Sequence, residues 1–95
     1  MVQKDIAIVL DCGATNVRVI AMDVNGQIVA SHTMPNETDE DPHYSGGRIW
    51  DLEKLWGKLS EASRIVTSAI DCERIVGVTV TTFGVDGAFV DESGT

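Results

Sequence analysis

The chain has 95 residues, an apolar fraction of 43% and a formal charge of −8. That length makes one small domain, and the apolar share excludes compositional disorder. Seven scattered basic residues in an acidic chain form no cluster for a DNA or RNA backbone, although a local loop of backbone N–H groups can still hold a small phosphate ligand.

No apolar run approaches the about 18–20 residues of a membrane span. The apolar run ending at Asp11 is too short for a signal-peptide core, so a cytoplasmic protein is expected. Cys12 and Cys72 stand far apart and predict no disulfide, and no CxxC or paired-histidine spacing predicts zinc.

In chain order, Ile6 to Leu10 is apolar on both alternating faces and predicts a buried central strand. Asp11-Cys12-Gly13-Ala14-Thr15-Asn16 is a turn signal, and Val17 to Met22 is β-rich again. Asn25-Gly26 predicts a tight hairpin with positive φ at both turn positions, leading into a third strand from Ile28 to Thr33. These three strands make an antiparallel meander. Residues 34–50 hold two prolines, a Gly-Gly pair and several acids, and predict a long functional or mobile loop. Asp51 can cap a helix over about 52–70, whose apolar stripe includes Leu55, Trp56, Leu59, Ala62 and Val66. Trp56 is expected in the core. Ile75 to Thr82 is a fourth strand that can lie parallel to the first, and Ala88 to Val90 can start a fifth. The order is β-β-β-α-β-β, an α/β fold.

Two segments carry chemistry. In Asp11–Arg18, Gly13 permits close backbone approach or positive φ. Thr15 and Asn16 add donors to the turn's N–H groups, and Arg18 adds charge if its strand aims it at the loop. Asp11, at a strand's carboxyl end, could hold Mg²⁺ through water. Acid, glycine, hydroxyl and base in one hairpin is what positions a triphosphate and its metal. A plain hairpin with Asx bonds to its own backbone has the same spacing. In the second segment, a β-branched strand runs into Gly84-Val85-Asp86-Gly87, where a glycine-flanked acid can accept from ligand hydroxyls. A second simple turn also fits it. Trp50 could offer its ring to a ligand or pack over the helix start. His32, His43 and the acids from Glu37 to Asp41 read as solvated groups.

Taken together, Val9-Leu-Asp-Cys-Gly-Ala-Thr-Asn-Val-Arg18 and Thr81-Thr-Phe-Gly-Val-Asp-Gly-Ala88 resemble the FGGY carbohydrate kinase family, over the whole chain. The resemblance implies a ribonuclease-H-like (actin/hexokinase-like ATPase) fold, with residues 1–95 an incomplete first lobe. It implies ATP and Mg²⁺ as cofactors, and phosphoryl transfer to a ketose, L-fuculose first, with rhamnulose or another ketose or polyol as runner-up. Asp11 would act on Mg²⁺; Gly13, Ala14, Thr15, Asn16 and Arg18 would hold phosphate. Gly84, Val85 and Asp86, with Trp50, would contact the sugar. No catalytic residue is expected within the chain, because the family's aspartate base lies beyond Thr95. The 95 residues alone are therefore expected to be inactive, and the apolar surface and free sheet edge of an incomplete lobe are expected to make them self-associate. The rival reading is a non-catalytic phosphate- or protein-binding module.

Overall fold

A computed structural model describes residues 3–82 and 92–93. Three strands open the chain: β1 (Ile6–Cys12), β2 (Asn16–Asp23) and β3 (Ile28–Pro35). Two short strands follow, β4 (Asp39–Glu40) and β5 (Arg48–Ile49), before helix α1 (Leu52–Ser68). A single 3-10 turn (Cys72–Arg74) leads into β6 (Ile75–Thr81).

The main sheet has four strands in the order β3-β2-β1-β6. β1 pairs antiparallel with β2, and β2 with β3, so the expected meander is present. β6 returns through α1 to pair parallel with β1, as a helix crossover allows. The helix starts where Asp51 accepts hydrogen bonds from the N–H groups of Glu53 and Lys54, at 3.1 and 3.2 Å. It buries Leu59, Ala62 and Val66 against Ile6, Ile8, Val17, Val19 and Ala21. Each fully buried large aliphatic chain among these contributes about 1.5–3 kcal/mol. No helix among the described residues is long and apolar enough to cross a membrane.

Four expectations need correction. The β2–β3 hairpin has positive φ at Gly26 alone (+80°), and Asn25 keeps negative φ. The Asp23 carbonyl accepts from Gly26 N–H at 3.0 Å, and Asp23 N–H donates to the Gln27 carbonyl at 2.9 Å. The turn is thus set one residue earlier, with Gly26 closing a three-residue loop in the left-handed region. The Asp23 carboxylate, accepting from Asn25 and Gln27 N–H, favours that placement.

The segment from 34 to 50 is not one long irregular loop. β3 runs on to Pro35, and β4 and β5 form a small antiparallel hairpin pairing Asp39 with Ile49 and Glu40 with Arg48. Asp41 N–H donates to the Gly47 carbonyl at 3.0 Å, and Lys54 of α1 pairs with Asp39 at 3.0 Å. Strands of two residues carry no periodicity for a sequence reading to detect.

Trp56 is 65% exposed rather than in the core. Helix α1 packs over β2 and β3, so its Leu52–Trp56 edge overhangs β1 and β6. There, Trp56 lines an apolar cavity of about 250 Å³ with Leu10, Cys12, Leu55, Leu59 and Val80. Val76, Val78 and Val80 of β6 are more than 60% exposed, and β6 is an edge strand among the described residues. An apolar face beside an open edge is a surface that favours pairing with another chain.

β1 is central, but its two faces differ. Ile6 and Ile8 are buried under the helix side, whereas Ala7 and Val9, on the other face, are half-buried. The single described helix covers one face only. The expected fifth strand at 88–90 lies outside the described residues.

The start of β1 is locked to the start of β6. Asp5 N–H donates to the Arg74 carbonyl at 3.0 Å, and the Arg74 guanidinium donates two bonds to the Asp5 carboxylate, both at 2.9 Å. This hydrogen-bonded guanidinium lowers the Asp5 pKa below the ordinary carboxylate value. A depressed folded pKa means that the unfolded chain binds the proton more readily. The pair's contribution is therefore complete above the unfolded carboxyl pKa of about 3.9 and disappears as pH falls through the lower folded value. Thermal midpoints measured from neutral pH downward should fall in that acid window, and Asp5→Asn should flatten the slope there. An acid slope identical in wild type and variant would contradict this role.

Candidate functional site

The β1–β2 hairpin joins the two central strands at the carboxyl end of β1. Its register sets Asp11 directly opposite Arg18, and Cys12 opposite Val17. Leu10 and Cys12 face the helix side, where they meet Leu55 and Leu59 across the apolar cavity. By strand alternation Asp11 and Arg18 share the other face. Both are half-buried. The ion pairs among the described residues are Lys54–Asp39 and Arg74–Asp5, so Asp11 and Arg18 are neighbours without being paired. Arg18 lies two residues into β2 from the loop, opposite Asp11.

Gly13 closes the hairpin by donating its N–H to the Asn16 carbonyl at 2.9 Å. A Cβ at Gly13 would lie 2.8 Å from that oxygen. Close approach of backbone to backbone, and not a positive φ, is what demands glycine here. Ala14, Thr15 and Asn16 are exposed at the tip. The N–H groups of Ala14 and Thr15 donate to no described group. The Asn16 side-chain amide donates to Thr15 Oγ1 at 3.3 Å, so the two polar side chains of the tip lie together.

The tip is supported from below by residues the sequence did not single out. Asn36, just after β3, donates its backbone N–H to the Thr15 carbonyl at 2.9 Å. Its side-chain Nδ2 donates to the Gly13 carbonyl, also at 2.9 Å. Lys58 of α1 donates to Asn36 Oδ1 at 3.2 Å. Nothing in local pattern marks this contact, because 23 residues separate Asn36 from Gly13. Asn36 and Lys58 also line a cavity of about 220 Å³ with Trp50, Asp39, Asp51 and Lys54. Trp50 therefore stands at a polar cavity next to the support of the hairpin tip.

Asp11, Gly13, Ala14, Thr15, Asn16 and Arg18 are thus gathered in one hairpin. Gly84, Val85 and Asp86 lie outside the described residues. His43 is exposed and His32 half-buried, and no group of three or more metal-ligating side chains is present among the described residues.

An unpaired carboxylate, an unpaired guanidinium and free N–H donors on a tight turn are what a phosphorylated ligand with its cation needs. Comparison with known proteins agrees with that class. The profile of the FGGY family of carbohydrate kinases, N-terminal domain, matches residues 6–95, and the chain belongs to this family. That domain carries the actin/hexokinase-like fold. The chain is 46% identical to the L-fuculokinase of Haemophilus influenzae over 93% of its own length. It is 44% identical to the L-fuculokinase of Salmonella typhi and 40% identical to that of Escherichia coli K12, each over 97% of its length. It spans about one fifth of the length of these relatives, which are 20% covered.

Proposed function

We propose that residues 1–95 form the opening part of the first lobe of an ATP-dependent L-fuculokinase, in a ribonuclease-H-like arrangement. The observation that carries this reading is the β1–β2 hairpin. It presents Asp11, Arg18 and the unbonded Ala14 and Thr15 N–H groups together at one end of the sheet. The similarity to L-fuculokinases supports the choice of sugar.

In this reading the Gly13–Asn16 loop and Arg18 hold the phosphoryl group that is transferred to the 1-hydroxyl of L-fuculose. Asp11 holds Mg²⁺ through water. Magnesium usually takes one or two carboxylates and keeps several waters, so a single half-buried acid with no competing ion pair fits it. The ion, when bound, neutralises charge on the phosphate oxygens. Arg18, directly across the strand from Asp11, neutralises charge from the protein side. Asp86 accepts hydrogen bonds from the sugar, and Trp50, which lines the polar cavity, stacks on the sugar ring. The base that takes the hydroxyl proton comes from residues outside this chain. Phosphoryl transfer rests on positioning and charge neutralisation, so these residues by themselves turn over no substrate.

The sugar assignment is tested in the two-lobed enzyme with Asp86→Ala. An ionised carboxylate only accepts hydrogen bonds, which suits a ligand with several hydroxyls. Losing such a charge-assisted bond costs roughly 1.5–3 kcal/mol, so the ketose KM should rise by about ten- to a hundredfold and somewhat beyond. The KM for ATP should change little. A variant that loses thermal stability while both constants hold would make Asp86 a turn residue. A shift confined to ATP would move the loop to the nucleotide.

A further inference from the structure

We propose that Asn36 and Lys58 are positioning residues that set the phosphate-holding conformation of the Gly13–Asn16 loop, an inference that rests on the kinase reading above. In a trans peptide the carbonyl of one residue and the N–H of the next point in opposite directions. Asn36 takes the Gly13 carbonyl with its side chain and the Thr15 carbonyl with its backbone, both at 2.9 Å. Holding the Gly13 oxygen on one side turns the Ala14 N–H to the other, and holding the Thr15 oxygen fixes the next peptide, so the Ala14 and Thr15 N–H groups keep their place at the tip. The loop then offers donors where a phosphate would sit and hides its own acceptors from that anion.

The chemistry singles out asparagine. One side chain has to donate to a carbonyl and accept from an ammonium at the same time, and a primary amide does both. Lys58 fixes which way round it sits. Its ammonium can only donate, so it holds Oδ1 at 3.2 Å and leaves Nδ2 for Gly13. Asn36 and Lys58 are both half-buried, which limits competition from water. Lys58 stands on α1, so the chain of contacts ties the loop to the helix that packs on the core.

The test uses the two-lobed enzyme with Asn36→Ala, Asn36→Asp, Lys58→Met and the double variant Asn36→Ala/Lys58→Met. Misplacement of a reacting group by about 1 Å costs about a hundredfold, so loss of the Asn36 contact should lower kcat by about ten- to a hundredfold. The ketose KM should hold. Lys58→Met should cost less, and nothing further once Asn36 is alanine, because it acts through Asn36. Hydrogen exchange at Gly13 and at residue 36, whose N–H groups are bonded to the Asn16 and Thr15 carbonyls, should accelerate in the Asn36 variants. If Asn36→Ala does not fold, Asn36→Asp is read instead: it keeps the acceptor for Lys58 and loses the donor to Gly13. Wild-type kcat in a folded Asn36 variant would overturn the proposal. So would additive losses in the double variant, which would mean that Lys58 touches the ligand itself. If the wild-type enzyme phosphorylates no ketose, the kinase reading fails, and unchanged exchange at Gly13 and residue 36 would separately remove the strut.

Discussion

Asp11→Asn is expected to lower turnover of the two-lobed kinase by about 10²–10³-fold at saturating Mg²⁺, the size of effect seen when one preorganised charge-stabilising group is removed. The substitution keeps shape and removes charge. Asp11 sits in the ladder opposite Arg18 and is parallel-paired with Thr81, so its backbone is fixed from both sides. No described group forms an ion pair with its carboxylate. The fold therefore has little to lose from the change, and the thermal midpoint should stay close to wild type. The loss should fall on kcat more than on the ketose KM, because an interaction with the transferring phosphoryl group strengthens in the transition state. A wild-type kcat for Asp11→Asn would refute the role. A large fall in thermal midpoint with the residual kcat unchanged per folded molecule would recast Asp11 as structural.

Gly13→Ala is expected to damage the same step from the backbone side. The new Cβ would stand 2.8 Å from the Asn16 carbonyl oxygen, a contact that real Cβ atoms essentially never make. The opposing atom is backbone and is already bonded to Gly13 N–H, so no flexible side chain can yield. Either that 2.9 Å bond opens or the tip shifts, and both move the Ala14 and Thr15 N–H groups. Displacement of about 1 Å at a phosphoryl-transfer site costs about a hundredfold in rate. The core under the helix lies below the tip, so the protein should still fold. Steady-state kinetics on Gly13→Ala, with circular dichroism to confirm folding, measures this. A variant with normal kcat and normal KM for ATP would show that the tip does not hold phosphate.

The parts of the fold legible in the sequence were those with strong local period. Ile6-Ala-Ile-Val-Leu10, the β-rich run after Asn16 and the stripe Leu55, Leu59, Ala62, Val66 each form the element their pattern predicted, although β1 is fully buried only on the helix side. Parallel pairing of β6 followed from the helix between the strands. One failure depended on tertiary placement and another on a local side chain. Trp56 has the spacing of a core residue, yet the helix is offset toward β2 and β3, and spacing carries no information about that offset. Asn25-Gly26 signals a hairpin correctly, but the Asp23 carboxylate pulls the turn one residue back. The hairpin tip was legible as a site because its acid, glycine, hydroxyl and base are contiguous. Its support was not, since Asn36 and Lys58 reach it from two other elements.

In the proposed kinase this hairpin serves ATP-dependent phosphorylation of a ketose. The most direct measurement is ADP release by the two-lobed protein with Mg²⁺ and ATP, across L-fuculose, L-rhamnulose and other ketoses, with product identified by mass. The predicted result is turnover highest on L-fuculose, yielding L-fuculose 1-phosphate, abolished by omitting Mg²⁺ and absent from the isolated 95-residue chain. No ketose-dependent ADP release from the folded two-lobed protein, or robust phosphorylation of L-fuculose by the 95 residues alone, would contradict it.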